Sequence, residues 1–127
     1  MVPGRKSVIL VALMLGSSVA WADANLDKQM RSLAFDSGCF MCHFVESGSK
    51  GPDGTPPIGP NWEDTSARYK GQRDAADMLV KLVMQGSPTS VSHWTGKVRG
   101  LAMPPNAVAI SEPDARRLVN WILDLKK

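Results

Sequence analysis

Cysteine and histidine are scarce in this chain of 127 residues, which contains only two of each. A closed zinc site needs four ligands, and outside the cluster at residues 39–43 only His93 remains to offer one, so the scarcity argues against structural zinc. Long apolar runs are also missing: the continuous run Val8–Leu15 falls well short of the ~20 residues that span a membrane. No segment alternates apolar and polar residues over a useful length, and strands are therefore not expected.

The two cysteines stand three positions apart and are followed directly by histidine, in the order Cys39-Phe40-Met41-Cys42-His43. This spacing is the attachment signature of a c-type haem. Each thiol adds to one haem vinyl group, and the adjacent imidazole then points at the iron from one face. A redox-active cysteine pair is the alternative, but that interpretation requires a neighbouring βαβ pattern, which is absent. The motif predicts one covalently attached haem c with His43 as an axial ligand.

The N terminus has the three parts of a secretory signal. Basic residues at positions 5 and 6 precede the apolar run, and an Ala-x-Ala pattern ends at Ala22. We expect cleavage before Asp23, so that 1–22 is a signal peptide and 23–127 is a single mature domain. Thioether-linked haem is normally assembled on the outer side of the bacterial inner membrane, and a periplasmic location is therefore expected.

The charge of the chain identifies no partner class. The formal net charge of +3 includes the two basic residues of the predicted signal, and haem propionates would add negative charge. The mature holoprotein is therefore expected to be slightly acidic, which gives no support for nucleic-acid binding. Attraction of a redox partner would depend on local patches of charge.

Four segments show the apolar periodicity of helices. They lie before the haem motif, after Pro60, before Gly86 and at the C terminus. Their apolar residues are Leu26, Met30, Leu33 and Ala34 in the first; Trp62 and Tyr69 in the second; Ala75, Met78, Leu79, Leu82 and Val83 in the third; and Leu118, Trp121, Ile122 and Leu125 in the fourth. Asn61 and Ser111 are expected to cap the second and fourth helices.

Two long segments between these helices are predicted to be loops. Residues 44–59 end in a stretch rich in glycine and proline, and Ser87–Gly100 shows no periodicity. The domain is therefore predicted to be all-α with long loops.

The sixth position of the iron would decide what the haem does, since an open site binds gases or peroxide and a thioether closes it and raises the potential. Met103 lies in a loop and is followed by two prolines, which make its presentation stiff. It follows His43 by enough residues for the chain to pass around the haem edge. His93 is the rival, since bis-histidine haems are common. We favour Met103.

Several stretches together resemble class I c-type cytochromes, in particular the small bacterial c-551 (c8) type. The matching stretches are Cys39–His43, Gly59–Trp62 running into Arg68–Gln72, Met103–Val108, and Trp121 in the last helix. The resemblance covers essentially the whole mature chain. It implies a class I cytochrome c fold of about four helices, with long loops wrapped around one covalently bound haem.

The resemblance also implies roles for two residues near the axial ligands. The carbonyl of Pro60 would orient the imidazole of His43, and Asn106 would hydrogen-bond the sulfur of Met103. The segment 44–59 is longer than in compact members of the family, and Gly51-Pro52 is a second candidate for the proline beside the imidazole. The loop at 87–102 is also longer than in those members.

These observations favour a periplasmic monohaem electron-transfer protein that cycles between Fe(II) and Fe(III) with His/Met ligation. It would not be an enzyme, it would be a monomer, and its partners would be a redox donor and acceptor that the sequence does not identify. The alternative is a haem enzyme or the cytochrome subunit of a periplasmic oxidoreductase complex, which the long loops alone support. A gas sensor would need an open sixth site and an output domain, for which the chain has no room.

Overall fold

A computed structural model describes Met1 and residues 18–88 and 93–125. The apolar run of the predicted signal and part of the predicted loop, at 89–92, lie outside the described residues. The helices are α1 (Ser18–Asp36), α2 (Trp62–Tyr69), α3 (Ala75–Gln85) and α4 (Glu112–Leu123), with single 3₁₀ turns at Cys39–Met41 and Pro52–Gly54. Among the described residues the only β pairing is an isolated bridge between Thr95 and Val98. The predicted all-α fold with four helices is confirmed.

Helix α4 is the centre of the packing, because α1, α2 and α3 all lie against it. The residues that form the buried core are Met30, Ala34, Val45, Trp62, Ile110, Ala115, Leu118, Trp121 and Ile122. Trp62 of α2 meets Trp121 of α4 edge to face, with ring centroids 5.8 Å apart. The guanidinium of Arg31 on α1 lies 5.9 Å from the Trp121 ring centroid, which brings three helices together at this tryptophan.

The ends of α4 are held by hydrogen bonds from serine side chains. Ser111 caps the N terminus as predicted: its Oγ accepts from the main-chain N–H of Asp114 at 3.3 Å. At the other end, the hydroxyl of Ser66 on α2 lies 2.9 Å from the carbonyl oxygens of both Leu123 and Leu125. These bonds fix the position of α4 along its length.

The expected side-chain cap of α2 is wrong. Asn61 is the residue before α2, but its side chain makes no capping hydrogen bond. Its Nδ2 instead donates to the carbonyl oxygen of Ser49 at 3.1 Å. Asn61 is buried, and it ties the glycine- and proline-rich loop to the start of the helix.

Helix α3 has two apolar sides. Val80 is buried, and Val83 and Met84 pack against the core cluster on the side of α4. Met78 and Leu82, from the predicted apolar face, are only half-buried. Residues 78 and 80 point about 200° apart around a helix, so the two sets cannot face the same neighbour.

Helix α1 begins at Ser18, ahead of the predicted cleavage position, and it ends at Asp36. Met30 and Ala34 are buried as the periodicity predicts, whereas Leu26 is 45% exposed and does not belong to the core. Leu26 lies one helical turn before Met30, the first residue of α1 that belongs to the buried core. None of the helices in the described part of the chain is both long and apolar enough to cross a membrane.

The two long loops are joined by main-chain hydrogen bonds. The N–H of Arg99 donates to the carbonyl oxygen of Pro57 at 3.0 Å, and that of Gly100 donates to Ile58 at 2.9 Å. A Cβ on Gly100 would overlap with the backbone of Ile58, so this close approach requires glycine. The two loops are therefore held against each other by these bonds.

Candidate haem site

The Cys-x-x-Cys-His motif forms a tight turn directly after α1. Gly38, with φ of 75°, reverses the chain, and the 3₁₀ turn Cys39–Met41 follows it. The N–H groups of Cys42 and His43 both donate to the carbonyl oxygen of Cys39, at 3.2 and 3.1 Å. The turn holds both cysteine side chains partly buried as free thiols, while Met41 is 79% exposed.

The environment of Cys39 raises the pKa of its thiol, chiefly through burial, although a main-chain hydrogen bond opposes the shift in part. The nearby Cys42 raises the pKa further when that group is ionised. Within the residues that the structure describes, no group of three or more cysteine, histidine or acidic side chains is arranged to hold a metal ion.

The His43 imidazole is oriented by a main-chain carbonyl. Its Nδ1 lies 2.8 Å from the carbonyl oxygen of Pro60, so Nδ1–H donates and Nε2 keeps its lone pair. Burial lowers the pKa of His43, and the hydrogen bond to Pro60 opposes this effect in part. The ring is therefore a neutral imidazole with one nitrogen available to a metal.

Of the two Gly-Pro pairs, Gly59-Pro60 is the one beside the imidazole. The N–H of Gly59 donates to the carbonyl oxygen of Cys42 at 2.7 Å, and the N–H of Trp62 donates to Phe44 at 2.9 Å. The segment that contains Pro60 thus runs alongside the residues that flank His43, and these bonds hold the carbonyl in place.

Met103 lies in a loop that is anchored to the C-terminal end of α3. Its N–H donates to Ser87 Oγ at 2.8 Å, and the N–H of Ser87 donates back to the Met103 carbonyl oxygen at 2.9 Å. Gly86 has φ of 82° and ψ of 168°. A Cβ on Gly86 would lie 2.9 Å from the Met103 carbonyl oxygen and 3.0 Å from Pro105, so only glycine lets the loop approach this closely.

Asn106 anchors the other side of the same loop. Its main-chain N–H donates to the carbonyl oxygen of Val83 at 3.0 Å. Its Nδ2 lies 2.6 Å from the carbonyl oxygen of Pro104 and 3.3 Å from that of Val83. In this arrangement the amide nitrogen is directed at main-chain oxygens, and its hydrogen bond to the Met103 sulfur stays a prediction.

His93 lies in a different environment from Met103. It is exposed, and its Nδ1 lies 3.1 Å from Nη2 of Arg68 on α2. Both residues line an open pocket of about 810 Å³, whose walls also include Pro60 and Asn61. His93 is therefore on the side of the glycine- and proline-rich loop and α2, whereas the Met103 loop is docked on α3.

Some residues that shape the site are not predictable from the sequence. Sequence patterns place Gly59, Gly86 and Ser87 only in motifs or at helix ends, although each makes a close contact with an axial-ligand candidate or its loop. For Gly59, the sequence does offer a clue, because this residue directly precedes Pro60. Nothing local in the sequence indicates that Ser87 pairs with Met103.

An all-α fold with a haem-attachment motif in a turn, and a histidine oriented by a proline carbonyl, defines a class I c-type cytochrome. The family described as Cytochrome c matches residues 31–126. Among similar proteins, cytochrome c-551 of Allochromatium vinosum is 41% identical over 93 residues, which cover 73% of this chain and 82% of that protein. Cytochrome c-552 of Nitrosomonas europaea is 34% identical over 113 residues, which cover 89% of this chain and 87% of that protein.

The crystal structure of wild-type cytochrome c552 from Nitrosomonas europaea has a similar fold. It aligns with a TM-score of 0.57 at 33% identity, covering 76% of this chain and 99% of that one. The chain belongs to the cytochrome c family and is of the c-551 type. It is a monohaem electron-transfer cytochrome with one covalently attached haem c, and it is not an enzyme.

The residues of the site fit this group. Two adjacent free thiols stand next to a neutral imidazole whose Nε2 keeps its lone pair. The sulfur and nitrogen donors are those that c-type haem requires.

Proposed function

We propose that this protein is a periplasmic one-electron carrier whose haem iron is ligated by His43 and Met103. The haem, attached through Cys39 and Cys42, supplies a metal that cycles between Fe(II) and Fe(III). The observation that carries the proposal is the pair of anchored ligand candidates: a histidine held by Pro60 and a methionine loop docked on α3.

Pro60 contributes by making His43 a defined ligand. The hydrogen bond from Nδ1–H fixes the tautomer and makes Nε2 more electron-rich, which is the usual role of a partner beyond the metal ligand. The ring is also kept neutral by burial, so no proton competes for Nε2 near neutral pH. These effects support a permanent bond to the iron in both oxidation states.

The loop around Met103 contributes a stiff thioether. Two prolines follow Met103 and restrict φ. The N–H of Met103 donates to the Ser87 hydroxyl and its carbonyl accepts from the Ser87 N–H, so its backbone is held on both sides. A side chain on such a backbone keeps its position when the charge of the iron changes. A closed sixth position favours electron transfer over the binding of gases or peroxide.

Helix α3 contributes the apolar wall of the site. Met78, Leu79 and Leu82 are half-buried, and unlike Val83 and Met84 they do not pack against the core cluster. These side chains would contact the haem and help to keep water from it. Three residues of the predicted apolar face, Met78, Leu79 and Leu82, would thus serve the cofactor, whereas Val83 of the same face packs against the protein core and Val80 is buried.

His93 is not the sixth ligand in this proposal. Its exposure and its contact with Arg68 are those of a surface residue. Its ring lines the same pocket as Pro60, whereas the Met103 loop is docked on α3. Substitution by alanine should therefore leave the haem spectrum as it is in the wild type.

Export through a signal peptide at 1–22 completes the proposal and explains how the haem is attached. The basic start, apolar run and Ala-x-Ala pattern support it. The mature protein, 23–127, would be a monomer that exchanges electrons with a donor and an acceptor protein. N-terminal sequencing of the holoprotein from a periplasmic extract should begin at Asp23.

The ligation is tested by comparing the holoproteins of Met103→Ala and His93→Ala. Thioether ligation of ferric iron gives a weak absorption band near the red end of the spectrum. Met103→Ala should lose this band and bind CO when reduced, whereas His93→Ala should do neither. The opposite pattern would assign the sixth position to His93. In both variants the haem should survive acid–acetone extraction, because Cys39 and Cys42 hold it covalently.

A further inference from the structure

We propose that Trp62 and Gly59 are positioning residues that set the orientation of the His43 ring plane, and that they thereby shape the electronic state of the iron. The inference rests on the proposed ligation by His43. It concerns the rotation of the ring, which is a different property from the identity of the ligand.

The hydrogen bond to Pro60 does not fix the ring plane by itself. Nδ1 of His43 lies 2.8 Å from the Pro60 oxygen, and this contact locates one atom of the ring. Hydrogen bonds to carbonyl oxygens tolerate a broad range of directions. The ring can therefore tilt about its bonds to Pro60 and to iron unless something contacts its face.

Gly59 provides a contact on the ring face. A Cβ built on Gly59 would lie 2.5 Å from Cε1, 2.8 Å from Nδ1 and 2.9 Å from Nε2 of His43. Such short distances to both nitrogens place this position over the ring near Cε1, since an atom in the ring plane beyond Cε1 would be much farther from them. The backbone of Gly59 therefore packs on the imidazole, and only the absence of a side chain makes this contact fit.

Trp62 provides the second contact. Its ring is stacked on His43, with centroids 5.7 Å apart and an angle of 26° between the planes. Trp62 is only 4% exposed. Trp121 meets it edge to face, and the ring of Phe40, tilted by 40°, lies 5.3 Å away between centroids. The main-chain N–H of Trp62 is bonded to Phe44, so both its ring and its backbone have fixed positions. A rigid aromatic plane beside the imidazole resists rotation of that ring.

The ring orientation has a measurable electronic consequence. An axial imidazole overlaps with iron orbitals of π symmetry, and the overlap depends on how the ring plane is turned relative to the haem. In low-spin ferric haem this direction sets the g values of the electron paramagnetic resonance spectrum and the pattern of the paramagnetically shifted haem-methyl proton resonances. Both readouts change with ring orientation and are independent of overall stability.

The test compares the ferric holoproteins of Trp62→Leu, Trp62→Phe and Trp121→Leu with the wild type. Trp62→Leu removes the stacked plane and should shift the g values and the haem-methyl pattern while the haem stays low-spin. Trp62→Phe restores an aromatic plane and should return both readouts towards the wild type. Trp121→Leu is the matched control: it removes a core tryptophan that makes no stacking contact with His43, while Phe40 and the hydrogen bond to Phe44 still hold Trp62. It should lower stability and shift the spectra much less than Trp62→Leu does.

Equal spectral shifts in Trp62→Leu and Trp121→Leu would overturn the inference, because the effect would then follow from core damage. Unchanged spectra in Trp62→Leu would overturn it as well. Should Trp62→Leu yield no holoprotein, Gly59→Ala decides: a Cβ 2.5 Å from Cε1 forces the ring or the backbone at 59 to shift, so the contact cannot survive unchanged. A wild-type spectrum in Gly59→Ala then refutes the inference. A wild-type protein without a low-spin His/Met spectrum would instead refute the proposed function.

Discussion

Gly86→Ala should weaken the hold on Met103 without touching the iron site directly. Gly86 joins α3 to the Met103 loop, and its φ of 82° and ψ of 168° lie in a region that is essentially restricted to glycine. The new Cβ would also lie 2.9 Å from the Met103 carbonyl oxygen and 3.0 Å from Pro105. Relief of this strain requires the backbone at 86 to turn, which breaks the bonds between Ser87 and Met103.

The expected magnitude follows from the backbone strain. A residue held in such a conformation costs about 1–3 kcal/mol. If the strain is released when the loop opens, external imidazole should displace Met103 with an affinity higher by about 5–150-fold. Titration of the ferric holoprotein with imidazole, followed by loss of the red absorption band, measures this affinity.

Gly71→Ala is the matched control for this experiment. Gly71 also has a positive φ, of 80°, but a Cβ there would meet nothing within 4 Å. It follows α2 rather than the Met103 loop, so Gly71→Ala should cost stability and leave imidazole binding unchanged. The reasoning is refuted if Gly86→Ala lowers the unfolding midpoint like Gly71→Ala but binds imidazole as the wild type does.

Two further substitutions test the anchors of the loop and of the central helix. Asn106→Val removes the side-chain hydrogen bonds to the carbonyl oxygens of Pro104 and Val83, which are worth about 0.5–1.5 kcal/mol each. The variant should keep the low-spin spectrum at neutral pH. Its midpoint potential should shift, and its affinity for external imidazole should rise. A potential and an affinity equal to those of the wild type would reduce Asn106 to a turn residue. Ser111→Ala removes the cap of α4 and should lower the free energy of unfolding by about 0.5–2 kcal/mol in urea titrations. An unchanged midpoint would show that the cap contributes nothing.

The features that were predictable from the sequence are those with local causes. The turn at 39–43 follows from covalent chemistry that demands a fixed spacing. The cap at Ser111 needs only Asp114 three residues later, and the periodicity of α4 gives its buried face directly. In each case the residues that determine the structure are neighbours in the chain.

The features that were not predictable depend on choices between distant partners. The side chain of Asn61 could cap α2 or bond to a loop carbonyl, and it bonds to the carbonyl oxygen of Ser49. The periodicity of α3 shows an apolar face but does not indicate that Val80, on another side, is buried while Met78 and Leu82 stay half-buried. The contact between Ser87 and Met103 joins segments that no local pattern relates.

The hydrogen bonds between the two long loops have a consequence for the speed of electron transfer. Ile58, which pairs with Gly100, directly precedes Gly59 and Pro60, and Gly100 is three residues before Met103. If His43 and Met103 ligate the iron, the chain segments that control the two ligands are therefore one bonded frame. Such a frame resists changes in the iron–ligand distances when the metal gains or loses an electron. The reorganisation energy is then small, and a carrier of this kind can exchange electrons rapidly at a modest driving force.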